Sequence, residues 1–178
     1  MENKHIAISS KFLRAWLSTS QLEEEFEYLC AYIQKNPVSD SWCLRISTAP
    51  VLLRICIIHS RLRISLVDEI AEKMNLSAKI LISDLGIFTT KKDKKSSFLS
   101  KSDAEKILKL CTLIGRAKLI IEESGSSKEF NATTWLASWL YSSCPALGGE
   151  SPAKLLDTLE GIDYLHLQIE GMQSSTYL

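Results

Sequence analysis

Trp139-Leu140-Tyr141-Ser142-Ser143-Cys144-Pro145-Ala146-Leu147-Gly148-Gly149-Glu150-Ser151-Pro152-Ala153-Lys154-Leu155-Leu156-Asp157-Thr158-Leu159-Glu160-Gly161 is the stretch on which the fold turns. It ends one helix near Tyr141 and turns on paired glycines, which reach backbone angles closed to other residues. A new helix starts at Ser151 with Pro152 in its first position. Asp157 and Thr158 each offer a cap for a last helix that carries Ile162, Leu165 and Ile169 on one face, with Gly171 placed to end it. Turn chemistry this dense between apolar helical stripes predicts an all-α chain.

Upstream, Ser100 is positioned to cap the amide of Asp103 and open the longest helix. Its stripe runs through Ala104, Ile107, Leu108, Cys111, Ile114, Ala117, Ile120 and Ile121, with Gly125 just past the end. Such a stripe is broad enough to bury against elements on two sides, which makes this helix the expected spine. Asn131 caps the next helix, whose Trp135, Leu136, Trp139 and Leu140 read as core.

Before the spine, Ser65 and Asp68 read as a cap, Leu66, Ile70 and Met74 line one face, and Asn75 suits a left-handed stop. Leu76-Ser77 then leads into Ile80, Leu81, Asp84 and Leu85, ended by Gly86. Two short helices joined by so few residues suit a helix-turn-helix core. The following segment, residues 87–95, holds Lys91, Lys92, Lys94 and Lys95, with Thr89 or Thr90 available to cap it. Clustered lysines either face water in a hinge or displace counterions from DNA phosphates. For base reading, Thr89, Thr90 or Asp93 would have to reach the major groove, and the absence of Arg, Asn and Gln here argues against tight specificity.

In the first third, Phe12, Leu13, Trp16 and Leu17 repeat at helical spacing, and Ser20-Gln21-Leu22-Glu23 is a capping box opening a helix through Leu22, Phe26, Leu29 and Ile33. Glu23 to Glu25 favour the positive end of that helix dipole, and Pro37 closes it. Val51 to Ile58 is almost uninterruptedly apolar, so periodicity alone does not separate helix from strand; Pro50 after Ser47 and Thr48 favours helix.

The chain has 178 residues and a formal net charge of zero, so any nucleic-acid contact must come from local charge. Five widely spaced cysteines, with no Cys-x-x-Cys or Cys/His cluster, fit a reduced cytoplasm and predict no metal site. Met1 to Ser10 is short and polar, unlike a signal peptide, and no apolar run reaches the roughly twenty residues that span a bilayer. His5, His59 and His166 fall in separate segments. There is no nucleophile elbow, and Gly148-Gly149 lacks the lysine a phosphate loop requires, so no catalytic residue and no cofactor are expected.

The order Trp-Leu, Pro-Ala-Leu-Gly-Gly, Pro, Leu-Leu-Asp-Thr, Gly resembles the C-terminal domain shared by the Xre/MbcA/ParS family of antitoxins, over roughly the last half of the chain. Residues 1–60 carry no pattern of that family and are read as a helical N-terminal extension packed against the rest; the resemblance implies an Xre-like helix-turn-helix over 61–99 and a toxin-binding helical domain over 100–178. It implies an antitoxin that silences a RES-domain toxin, an enzyme that consumes NAD or transfers ADP-ribose from it, by occluding the toxin's active site. The contacts it implies are Ile169, Glu170 and Gly171, with Met172, Tyr177 and Leu178 from the tail. It places the recognition helix at Ile87 to Lys95, and implies a homodimer on operator DNA. Where the family commonly ends in Arg-Ile-Glu-His-Gly, this chain has Gln168-Ile169-Glu170-Gly171. A helix-turn-helix regulator without a toxin partner is the alternative, and an all-helical scaffold without DNA contact is a third reading.

Overall fold

A computed structural model of the chain describes residues 23–87, 98–125 and 130–173. Over these residues the fold is all-α, with eight α-helices, two short 3-10 helices and one antiparallel bridge between Arg63 and Phe98. The expected Phe12–Leu17 stripe, the lysine-rich segment and the last five residues lie outside the described residues.

Helix α1 spans Glu23–Lys35, with three acids in its first turn, and buries Phe26, Leu29, Cys30 and Ile33. Helix α2, Asp40–Thr48, opens on Ser39, whose hydroxyl accepts from the Trp42 amide at 3.2 Å. The sequence reading missed this helix, although it buries Trp42, Cys43 and Ile46. Helix α3, Val51–His59, follows after Pro50 and settles the ambiguous apolar run as helix. The Arg54 guanidinium donates to the carbonyls of Ser47 (3.0 Å) and Ala49 (2.7 Å), satisfying groups that the end of α2 would otherwise leave unpaired.

Helices α4, Ser65–Lys73, and α5, Ala78–Asp84, form the short pair expected upstream of the spine. Asn75 stands at φ +55°, the left-handed stop expected of it, and Gly86, expected to end the second helix, stands at φ +59°. The start differs: α4 has no side-chain cap, and its first turn grows from helical Ile64, with the Val67 amide donating to the Ile64 carbonyl at 3.0 Å. At the base of this pair the Leu99 amide donates to Leu62 O at 2.8 Å, and the guanidiniums of Arg61 and Arg63 lie 4.5 and 5.4 Å from the Phe98 ring centre. The chain therefore leaves for the α4–α5 pair and returns at one place.

The spine, α6, spans Lys101–Glu123, with Ser100 accepting from the Asp103 amide at 3.1 Å as expected. Its largest helix contact is with α2. Gly115 makes that approach possible, because a Cβ there would stand 2.3 Å from the Cys43 carbonyl oxygen. Helix α7, Ala132–Leu140, is capped by Asn131, which accepts from Thr134 N at 2.8 Å. The Asp40 carboxylate, in the first turn of α2, also accepts from the Thr133 amide (3.0 Å), the Ala132 amide and the buried Thr133 hydroxyl. One charge thus ties α2 to the positive end of α7. Helix α8, Leu159–Gln173, packs along α6 and runs two residues past Gly171, which therefore lies inside the helix and does not end it.

Candidate functional site

The signature stretch forms a closed loop that leads into α8. Pro145–Leu147 is a single 3-10 turn, after which Gly148 (φ +66°) and Gly149 (φ +88°) reverse the chain. The Gly149 amide donates to Cys144 O at 3.0 Å and the Cys144 amide to Glu150 O at 3.1 Å, so the loop closes on its own backbone. Its tip, from Pro145 to Glu150, is largely exposed, whereas Pro152, Ala153 and Leu156 are buried. The second turn is a 3-10 helix, Pro152–Leu155, with Pro152 at its first position as expected but without the expected side-chain cap from Ser151. Thr158 does act as a cap, its hydroxyl accepting from the Gly161 amide at 3.0 Å. Gly161 is required by space, since a Cβ there would stand 2.1 Å from the Leu155 carbonyl oxygen.

The loop is also locked to α5. The Tyr141 hydroxyl donates to Asp84 at 2.5 Å, Lys106 Nζ donates to Leu85 O at 2.8 Å, and Asp157 lies against Gly86. Burial, reinforced by the Asp84 bond, pushes the Tyr141 phenol well above its ordinary value. It is therefore a neutral donor at physiological pH.

Helix α8 buries Ile162, Leu165 and Ile169, each worth about 2 kcal/mol of apolar burial. A polar ladder fastens its flank to α6. Lys109 pairs with Asp163, Arg116 Nε stands 3.5 Å from Glu170, and Arg116 donates to Gln173 at 3.3 Å. These pairs are partly exposed, so each contributes about 0.5 kcal/mol at most and serves mainly to fix the helix rotation. Between them His166 Nε2 lies 3.1 Å from Thr112 Oγ1 and 3.3 Å from Lys109 O. The Thr112 hydroxyl already donates to Lys109 O at 2.7 Å, so His166 carries its proton on Nε2 and donates. Burial holds the imidazole below its ordinary pKa, against the opposing pull of the Lys109 carbonyl and the nearby carboxylates.

The face of α8 turned away from the core carries Tyr164, 39% exposed, and Leu167, 63% exposed; Met172, 49% exposed near the end of the helix, stands seven residues from Leu165 and so on that side of α8, not on this face. Of the expected contact residues, Ile169 is only 2% exposed, so it anchors α8 in the core and its side chain does not project. Glu170 projects but is engaged by Arg116. Gly171 is half-buried and Met172 is exposed. Tyr177 and Leu178 lie outside the described residues, as do Thr89, Thr90, Lys91, Lys92, Lys94 and Lys95. Tyr164 and Leu167 were missed; three residues apart on α8, opposite the Ile162–Leu165–Ile169 stripe, they were readable as an exposed apolar pair. The Lys109 and Arg116 rungs join residues more than fifty positions apart, which no local pattern reveals.

A groove of about 910 Å³ runs along the other edge of the ladder. One wall is α3, with Val51, Ile55 and Ile58; the other is the α6–α8 ladder. Among the described residues no cluster of His, Cys, Asp or Glu has the makings of a metal site, and no single helix is long and apolar enough to cross a membrane.

No family model and no solved structure matches the chain. It is 33% identical over 127 residues to the Prs ADP-ribosylating antitoxin of Sphingobium sp. (strain YBL2), an alignment covering 70% of this chain and 80% of that protein. The chain belongs to the family of that antitoxin. It is thus the antitoxin member of a toxin-antitoxin system, with a cognate toxin as its partner. The closed Gly-Gly loop and the ladder-braced α8 are the built parts of this antitoxin's surface.

Proposed function

We propose that this antitoxin silences a RES-domain, NAD-consuming toxin by seating the outer face of α8 on it and directing the chain end into its active site. The observation that carries the reading is the apolar pair Tyr164 and Leu167, exposed on the outer face of a helix whose rotation the core and the ladder have fixed. An apolar face of this kind is a docking surface when it is preorganised. Ile169 sets the height of α8. Glu170, Gly171 and Met172 lead to Tyr177 and Leu178, of which Tyr177 offers a phenol to the polar groups that would otherwise hold a dinucleotide. The name of the Sphingobium relative refers to ADP-ribosylation, a reaction whose usual ADP-ribose donor is NAD, and this supports an NAD-consuming target. The signature stretch, which resembles that of the Xre/MbcA/ParS antitoxins, supports the RES assignment.

Autoregulation completes the proposal. Helices α4 and α5 present a helix-turn-helix pair, and the segment that follows supplies Thr89, Thr90 and Lys91, Lys92, Lys94 and Lys95 to operator DNA, with a homodimer reading paired half-sites. The test of docking is Leu167→Asp. The variant should keep its helical circular dichroism and bind the purified toxin at least about tenfold more weakly, equivalent to about 1.4 kcal/mol. Unchanged toxin affinity in both Leu167→Asp and Tyr164→Asp would remove α8 as the docking face.

A further inference from the structure

Several anomalies coincide where the chain leaves for the α4–α5 pair and returns. Arg61 holds a left-handed backbone at φ +64°, a region that penalises any residue with a Cβ and that glycine occupies freely. Two like charges share one ring, the Arg61 and Arg63 guanidiniums standing 4.5 and 5.4 Å from the Phe98 ring centre. Arg63 Nε is buried and makes no hydrogen bond among the described residues. Folded chains rarely leave a buried donor unpaired, and backbone strain of this kind collects at sites that hold something.

Local structure explains the placement. Leu62, 1% exposed, points into the core and accepts from the Leu99 amide, which sets its neighbours Arg61 and Arg63 on the outer side. The bridge between Arg63 and Phe98 brings the ring alongside, where it stacks both guanidiniums and orients their planes. Among the described residues neither guanidinium pairs with a carboxylate, Asp68 in the first turn of α4 included. Two residues after Arg63, α4 starts at Ser65 without a side-chain cap, so the positive end of its dipole adds to the same field.

An anion with several acceptor oxygens would satisfy this arrangement, because a guanidinium fork matches the oxygens of a phosphate. The place in the chain selects which phosphate: Lys91, Lys92, Lys94 and Lys95 belong to the same excursion that Leu62 and Leu99 close. We infer, on the operator-binding reading above, that Arg61 and Arg63 are a preformed contact for a backbone phosphate of that DNA, the left-handed turn at Arg61 serving to lay its guanidinium over Phe98. Such a contact fixes the register of the protein on the duplex and carries no sequence choice.

Arg61→Gly and Arg63→Gln in the full-length antitoxin test the assignment, read by fluorescence anisotropy on a duplex from its own promoter and on an unrelated duplex of equal length. Each variant should lower the slope of log affinity against log salt by about 0.9, so that its deficit against the parent shrinks about 3.5-fold between about 50 and 200 mM salt. The loss should be the same on both duplexes. Thermal melts separate this from damage to the fold: Arg61→Gly removes the backbone penalty, so its Tm should equal or exceed the parent's while its slope falls. A parent that binds DNA, with an unchanged slope in both variants, would overturn the assignment and leave operator binding standing. A parent that binds neither duplex would overturn operator binding itself and this contact with it. A loss confined to the promoter duplex would make the pair a base reader, and an Arg61→Gly protein that melts well below the parent would make the stack a structural clamp; either result overturns the phosphate contact.

Discussion

Replacing Gly161 by alanine isolates the feature that makes the signature loop and α8 a rigid unit. The new Cβ would stand 2.1 Å from the Leu155 carbonyl oxygen and 2.8 Å from Thr158 Oγ1. To reach even a tight contact near 3 Å, the 3-10 turn and the first turn of α8 must separate by almost 1 Å. Overpacking of this kind costs about 1–3 kcal/mol, and loss of the Thr158 cap adds about 1 kcal/mol. Against this, alanine gains up to about 1 kcal/mol of helix propensity over glycine. The net expectation is a destabilisation of about 2 kcal/mol, or a fall in Tm of about 4–8 °C for a chain of this size. Gly148→Ala is the control: its Cβ would meet nothing within 4 Å, so only the positive φ is penalised, by about 1 kcal/mol. Urea unfolding followed by circular dichroism measures both. A Gly161→Ala protein as stable as the parent, or more stable, would refute the close approach and with it the fixed seat of α8.

Asp40→Ala should cost about 2–3 kcal/mol in the same assay, because it orphans the Thr133 hydroxyl and two amides at the start of α7; Asp40→Asn, which keeps an acceptor, should cost less. His166 has a folded pKa below its unfolded value, so the unfolded chain takes up the proton first as pH falls. Stability should therefore decline below about pH 6.5, and His166→Gln should flatten that part of the profile in thermal melts between pH 7.5 and 5.5. For operator binding, changing Lys91, Lys92, Lys94 and Lys95 to Gln should reduce the slope of log affinity against log salt by about 0.9 for each lysine that meets a phosphate. An unchanged slope in fluorescence anisotropy would take these lysines off the DNA.

Local chemistry made much of the fold readable. Ser100, Asn131 and Thr158 cap the helices they precede, and Asn75 takes the left-handed angle its position called for. Helix α2 escaped because its nine residues hold only a brief apolar stripe among Ser39, Asp40, Ser41, Ser47 and Thr48, residues that favour caps and turns. Its stability comes from contact with α6 at Gly115 and from Asp40 reaching α7, terms that appear only once distant segments meet. The same holds for the site. The terminal Ile169-Glu170-Gly171-Met172 run drew attention by its place in the signature, but only the helix rotation separates Ile169, facing the core, from Leu167, facing solvent. The groove beside α3 was invisible for a similar reason, since its walls come from four helices.

The most direct measurement is the rate at which the purified cognate toxin consumes NAD in the presence of excess antitoxin. The account predicts that the full chain halts consumption, while a chain lacking Met172 to Leu178 keeps its fold, still binds the toxin through α8, and leaves most of the NAD consumption running. Equal inhibition by the truncated chain, or undiminished NAD consumption with the full chain, would contradict it.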